Sequence, residues 1–111
     1  MRRGDLITVA FQGDYAKPRP ALIVQADVFL DYASIIVLPL SSDLQEADLF
    51  RIDVLPSPAT GLRRRSQIMV DKIATYPTEK VGKIIGQLDS STLAAVDGAL
   101  AMWLGLRSRS T

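Results

Sequence analysis

Short apolar runs, each soon broken by a turn signal, constrain the fold of this chain more than any other feature. Glycine, proline, serine and aspartate separate the runs, and β-branched and aromatic residues fill them, which is typical of β-strands. The predicted strands are Leu6–Phe11, Ala21–Gln25, Ser34–Leu40, Phe50–Leu55, Ser66–Tyr76 (one long or two bent) and Val81–Leu88. Such closely spaced strands favour a small antiparallel barrel over alternating βαβ units.

Helical spacing is found only near the end of the chain. Asp89 is a suitable N-cap, and Gly105 suits the C-terminus of a helix that runs to about Leu106. Between them, apolar residues recur at the spacing of one helix face: Leu93, Val96, Leu100 and Trp103. We therefore expect a mainly β fold with one C-terminal α-helix that buries this stripe, Trp103 included.

Composition limits the chemistry. The 111 residues fit one domain, 1–111, and contain neither cysteine nor histidine, which excludes thiolate nucleophiles, Cys-based zinc sites and a histidine base. The net charge is only +1, but the arginines are clustered locally. No apolar run approaches the roughly 20 residues of a membrane span, so a cytoplasmic protein without a membrane segment is expected.

No standard catalytic motif is present, and the remaining candidates suit a phosphate. Arg19 lies between two prolines, and its planar guanidinium can bind phosphate through two hydrogen bonds; a surface ion pair is the alternative. Ser41 follows the central strand, where a turn role is equally available. Asp71 lies within an apolar strand, where it is either a reactive or a structural, hydrogen-bonded carboxylate. The run Arg63–Arg65 is either a solvated loop or a contact for an anionic partner.

Several blocks, in order, resemble the MazF/PemK toxin family. They are Arg3-Gly4-Asp5-Leu6-Ile7, Pro18-Arg19-Pro20-Ala21-Leu22-Ile23-Val24-Gln25, Val37-Leu38-Pro39-Leu40-Ser41-Ser42, Gly61 to Ile73, and Gly86-Gln87-Leu88-Asp89. The similarity covers nearly the whole chain. The resemblance implies an SH3-like barrel that forms a homodimer, cleaves single-stranded mRNA at a short sequence without metal or other cofactor, and is inhibited by a cognate antitoxin.

The resemblance also implies roles for individual residues. Arg19 and Ser41 match the usual catalytic pair, and Asp71 matches an acidic residue that serves some members. The residues expected to contact RNA are Lys17, Ser42, Arg63, Arg64 and Arg65. Two departures are visible: Met69 replaces an arginine of some members, and the loop at 12–17 is short. The second departure predicts altered base recognition or weaker cleavage.

A second interpretation comes from the CcdB gyrase poisons, which share the fold and are not enzymes. Similarity to them lies in Val37-Leu38-Pro39-Leu40, Ile68-Met69 and the end Met102-Trp103-Leu104-Gly105-Leu106. The intact Arg-Pro block and the extension beyond Leu106 favour the ribonuclease. An inactive relative that only binds an antitoxin or nucleic acid is the third hypothesis.

Overall fold

The computed structural model describes residues 1–10, 17–46 and 48–106. This part of the chain forms seven strands and one helix: β1 (Asp5–Val9), β2 (Arg19–Ile23), β3 (Ser34–Ser41), β4 (Arg51–Val54), β5 (Ser66–Met69), β6 (Ala74–Pro77), β7 (Val81–Gln87) and α1 (Ser90–Leu104). Short 3₁₀ helices span Asp27–Phe29, Val70–Lys72 and Thr78–Lys80. The mainly β prediction with a C-terminal helix is confirmed. Phe11 and most of the short loop lie outside the described residues.

The strands form one antiparallel sheet in the order β4-β5-β3-β2-β1-β7, and β6 also pairs with β3. The central strand β3 has two partners along one edge. Its first half, from Ser34 to Val37, pairs with β6, whereas its end, Leu40 and Ser41, pairs with β5. The predicted strand over Ser66–Tyr76 is thus two strands, and the 3₁₀ helix at Val70–Lys72 carries the chain from one to the other. The sheet forks beside β3.

The predicted SH3-like barrel is not confirmed, because the sheet is open: its order ends at β4 on one side and at β7 on the other. The loop after β4 closes part of the gap instead, since the Gln87 amide donates to the Ala59 carbonyl at 2.8 Å. Glycine permits this approach. A Cβ at Gly61, whose φ is +68°, would collide with the Ile85 carbonyl, and one at Gly86 would collide with Thr60.

The sheet is apolar on both faces because successive side chains of a strand point to opposite sides. One face presents Leu6, Leu22 and Leu38 in a row across three strands, and α1 covers it with Val96 and Leu100. The other face carries a second cluster, comprising Ile7, Val9, Ala21, Ile23, Ile35 and Val37. β3 contributes to both clusters, so both of its faces are buried.

Helix α1 begins and ends as predicted. The Asp89 side chain accepts a hydrogen bond from the Thr92 amide at 3.0 Å, and Gly105 ends the helix with a φ of 69°. Trp103, predicted to be core, is 46% exposed. Its ring packs on Phe50 at a centroid distance of 4.9 Å. That placement of Trp103 in the core is therefore wrong.

The Arg3-Gly4-Asp5 block has a structural role. Arg3 donates to the Val24 carbonyl at 2.9 Å and to Asp97 on α1 at 2.8 Å, so it joins the start of β1 to β2 and to the helix. No helix within the described ranges is long and apolar enough to cross a membrane.

Candidate functional site

A groove with a volume of about 410 Å³ opens on the outer side of the fork in the sheet. Strands β2, β3 and β6, the end of β5 and the segment between β5 and β6 supply its walls. Its lining consists of Arg19, Pro39, Leu40, Ser41, Met69, Lys72, Ala74 and Tyr76. We call it the Arg19 groove. It brings together two of the three residues predicted to be catalytic.

The register of the sheet places Arg19 next to Ser41. Ala21 of β2 pairs with Pro39 of β3, and continuing this antiparallel register by two residues sets Arg19 opposite Ser41. Directly opposite residues project to the same face, with Cβ atoms about 4.5–5.5 Å apart. Arg19 is exposed and Ser41 is half-buried, so neither is covered by the core. The strand begins at Arg19 itself, two residues before the predicted start.

The hydroxyl of Ser41 is already oriented by the chain that follows it. The Asp43 amide donates to Ser41 Oγ at 3.0 Å. A serine hydroxyl has one proton to donate and two acceptor sites, so this contact occupies an acceptor site. The O–H proton therefore keeps its capacity to donate into the groove.

The prediction that Asp71 lies in an apolar strand is wrong, because the chain bends there into the 3₁₀ helix Val70–Lys72. Asp71 is half-buried, and Oδ2 lies 3.8 Å from Lys72 Nζ. Its buried Oδ1 accepts no hydrogen bond from any residue that the structure describes. The groove is lined by Lys72 and not by Asp71 among these residues.

Two lining residues were missed by the sequence reasoning. Lys72 reaches the groove because the 3₁₀ bend turns it there, and no periodicity indicates such a bend. Tyr76 does follow a readable signal, since Ala74 and Tyr76 alternate along β6 with the period of a strand. Desolvation raises the pKa of the Tyr76 phenol above its usual value, so the group stays neutral at physiological pH.

None of the residues predicted to contact RNA is among the identified lining residues of the Arg19 groove. Lys17, Ser42, Arg63 and Arg64 are exposed. Arg65 forms an ion pair with Asp53 at 2.8 Å. Because Gln67 pairs with Ser41, the arginine run that precedes β5 lies at the end of the sheet from which Ser41 and Ser42 emerge.

The charge of the Arg19 groove suits an anion. Arg19 and Lys72 both line it, and none of the lining residues identified carries a carboxylate. No group of three or more carboxylates within the described ranges could hold a metal ion. The arrangement can thus bind a phosphate with a guanidinium, an ammonium and a hydroxyl donor.

This chain is similar to a known protein family and to one of its members. Residues 2–104 match the family model of PemK-like, MazF-like toxins of type II toxin–antitoxin systems. A protein of Mycolicibacterium smegmatis described as a probable endoribonuclease MazF is 42% identical, covering 96% of this chain and 98% of that one.

Two solved structures share the fold. The Mycobacterium tuberculosis toxin MazF-mt6 superposes with a TM-score of 0.80 at 22% identity, covering 94% of this chain and 99% of that chain. A mycobacterial endoribonuclease in complex with its cognate antitoxin gives a TM-score of 0.79 at 21% identity, covering 97% and 98%. At these identities the two structures establish likeness of fold.

Proposed function

Since the chain belongs to the family of PemK-like, MazF-like toxins of type II toxin–antitoxin systems, we propose that it is an endoribonuclease that cleaves single-stranded mRNA. The observation that carries the proposal is that Arg19 and Ser41 line the same cationic groove. The relative at 42% identity, a probable endoribonuclease, supports the same activity.

RNA carries its own nucleophile, which makes this small set of residues sufficient. The 2′-oxygen attacks the adjacent phosphorus in line, the bond from phosphorus to the 5′-oxygen breaks, and a 2′,3′-cyclic phosphate and a 5′-hydroxyl result. The enzyme has to hold the backbone in line and stabilise the charge that develops on the phosphate oxygens. Arg19 supplies a bidentate charge-assisted contact, and Ser41 supplies a hydroxyl donor.

The two protons of the reaction need separate routes. The 2′-hydroxyl gives its proton to solvent water, and the leaving 5′-oxygen must gain one. Arg19 does not release a proton in proteins, whereas a lysine ammonium does so far more readily. We assign the donor role to Lys72 and restrict Arg19 to electrostatic stabilisation. Tyr76 presents a neutral ring against which a base can stack.

Asp71 has a supporting role in this proposal. Its carboxylate beside Lys72 orients the ammonium group at the back of the groove. The exposed cations Lys17, Arg63, Arg64 and Arg65, together with Ser42, bind the flanking phosphates and set the path of the strand without reading its sequence.

The partners follow from the same family. We propose that residues 1–111 act as one toxin domain in the cytoplasm, that two copies form a homodimer, and that a cognate antitoxin inhibits it. The structure of a mycobacterial endoribonuclease in complex with its cognate antitoxin supports the last point. No cofactor is proposed.

The test is incubation of purified protein with a single-stranded transcript in EDTA, followed by mapping of fragment ends. Fragments that end in 2′,3′-cyclic phosphate and begin with a 5′-hydroxyl support the proposal. An intact transcript, with growth arrest on induction of the wild type, contradicts it. Growth arrest that is absent in Arg19→Ala excludes an inactive relative.

A CcdB-like gyrase poison is the second candidate, and one observation favours it. The end of α1 exposes Met102, Trp103, Leu104 and Leu106 to solvent. Exposed apolar clusters mark protein contacts. Incubation with gyrase and DNA separates the two functions, since trapped gyrase–DNA complexes without RNA fragments support the poison. The relation to CcdB-type toxins remains a prediction from sequence.

A further inference from the structure

Beside the Arg19 groove, one row of outward-facing residues crosses three strands. Asp53 of β4 pairs with Gln67 of β5, and Gln67 pairs with Ser41 of β3. Because directly opposite residues share a face, the Gln67 side chain lies between Asp53 and the proposed catalytic hydroxyl. Gln67 is nevertheless only 5% exposed. A polar side chain this buried requires hydrogen-bond partners.

Its partners lie in the segment that follows Ser41. Gln67 Oε1 accepts from the Gln45 amide at 2.8 Å, and Gln67 Nε2 donates to the Gln45 carbonyl at 3.0 Å. The side-chain amide thus binds the backbone of Gln45 on both sides, as a neighbouring strand would. Nε2 also donates to Asp53 Oδ1 at 2.9 Å. Both hydrogens of the amide group are used.

Asp53 is fixed in turn. Arg65 donates to its second oxygen at 2.8 Å, and the hydrogen bonds from Gln67 and then Arg65 lower the pKa of Asp53 below its usual value. Asp53 therefore stays ionised at physiological pH and holds Gln67 by a charge-assisted hydrogen bond. We call Gln67, Asp53 and Arg65 the Gln67 clamp.

The clamp holds the stretch that orients the hydroxyl. The Asp43 amide, which donates to Ser41 Oγ, lies between Ser41 and the clamped Gln45. Arg51 adds a longer contact of 3.3 Å to the Asp43 carbonyl. The Asp43 amide therefore lies two residues before the position that Gln67 holds, on the same short stretch of chain.

We propose that Gln67 is a positioning residue that fixes the Ser41 hydroxyl toward the Arg19 groove by clamping the backbone of Gln45. The inference rests on the proposed function for its consequence in RNA cleavage. Its structural part concerns the chain from 42 to 45 and is measurable without RNA.

Gln67→Met tests the structural part, because methionine keeps the length of the side chain and removes its hydrogen bonds. We expect exchange of the Gln45 amide hydrogen to accelerate about tenfold or more, and that of Asp43 severalfold. Core amides of β2 in the same sample serve as the reference for global unfolding. Gln87→Met, an exposed glutamine on β7, is the matched control, with no change expected at Asp43 or Gln45.

The chemical part is a double-mutant cycle with Ser41→Ala. Gln67→Met should lower kcat about tenfold with little change in KM, because a misplaced donor weakens transition-state contacts more than substrate binding. In the Ser41→Ala variant, Gln67→Met should lower kcat less than about twofold, because Gln67 acts through the Ser41 hydroxyl that this variant lacks.

Two results overturn the proposal. One is an unchanged exchange rate of the Asp43 amide hydrogen in Gln67→Met. The other is that Gln67→Met lowers kcat equally in the wild type and in the Ser41→Ala variant. If the wild-type protein cleaves no RNA, the proposed function fails, and amide exchange still decides whether Gln67 holds the chain. Gln67→Glu keeps the acceptor for the Gln45 amide and loses the donors, so it should give an intermediate exchange rate if the methionine variant does not fold.

Discussion

Two neighbouring grooves on the same side of the sheet have opposite electrostatic character. The Arg19 groove is lined by two cations and by no carboxylate among its identified lining residues. The adjacent groove, about 730 Å³, sets Arg51 and Arg65 against Glu46, Asp48 and Asp53, a net charge of −1. Polar groups of this second groove also bind one another, since Arg65 and Gln67 both donate to Asp53. The lining of the first groove thus carries a net positive charge that suits a phosphate, whereas the polar groups of the second hold the chain.

The sharpest way to break this comparison is to remove one arginine from each groove. Arg19→Met should lower RNA cleavage about 10³-fold, because it removes the charge that stabilises the transition state. Arg51→Met in the second groove should lower it less than about tenfold, through the contact with Asp43 alone. Initial rates on one short transcript give both values.

A partial recovery in Arg19→Lys sharpens the same test, since lysine keeps the charge and loses the planar fork. Similar losses for Arg19→Met and Arg51→Met contradict the distinction between the grooves.

The hydroxyl of Ser41 should have the next largest effect. Ser41→Ala should lower kcat about 10- to 100-fold, because one hydrogen-bond donor to the developing charge is lost. Ser41→Thr keeps the hydroxyl and should retain most of the activity. Equal losses in the two variants would show that packing of the side chain, and not its hydroxyl, matters.

Lys72 has two roles that one pair of variants separates. Lys72→Met should weaken binding of a 2′-O-methyl oligonucleotide and reduce the slope of log K against log salt concentration by about 0.7, the value of one phosphate contact on a single strand. Lys72→Arg should restore the slope but not kcat, because arginine does not donate the proton.

Lys83→Met on β7 is the control for Lys72 and should leave the slope unchanged. A slope that is the same in Lys72→Met and in the wild type removes Lys72 from the phosphate site.

The smallest effect concerns stability and lies outside both grooves. Hydrogen bonds from Ser91 and Thr92 lower the pKa of Asp89 from 3.8 to about 2. A carboxyl group whose pKa is lower in the folded state than in the unfolded state stabilises the fold at any pH above the unfolded-state pKa. This contribution is lost as the pH falls toward the folded-state pKa of about 2. Asp89→Ala should lower the Tm at neutral pH by a few degrees and reduce the further fall between about pH 4 and pH 2. Thermal unfolding followed by circular dichroism measures both; an unchanged acid-induced fall in Asp89→Ala contradicts the assignment.

Most of the fold could be predicted because the local signals agree with the tertiary structure. Turn residues separate the strands, and Asp89 and Gly105 delimit α1 as expected. The open sheet could not be predicted, since the loop after β4, and not β4 itself, contacts β7, and the sequence does not show this tertiary contact. Trp103 follows the helical spacing of the core but is half exposed, because helical spacing alone does not fix how much of the helix the sheet covers.

The candidate site was predicted only in part, because some of its residues lie on strands and others at an irregular bend. Arg19 and Ser41 lie on strands, whose register brings them together, and their residue types suggest phosphate chemistry. Lys72 enters the groove through a 3₁₀ bend that no periodicity reveals, and the same bend removes Asp71 from it. Gln67 gave no signal, because a single glutamine in a strand has no motif.

The division of β3 between two partner strands has a consequence for how such a site can change. Diverging main chains, rather than any side chain, create the opening between β5 and β6. If the groove binds RNA as proposed, exchanging Met69, Ala74 or Tyr76 should therefore change which nucleotide fits, while the cleft itself persists. The side chains that would select the nucleotide can thus change without a change in the main chain that forms the cleft, so substitutions in the lining are the way to alter the RNA sequence that is recognised.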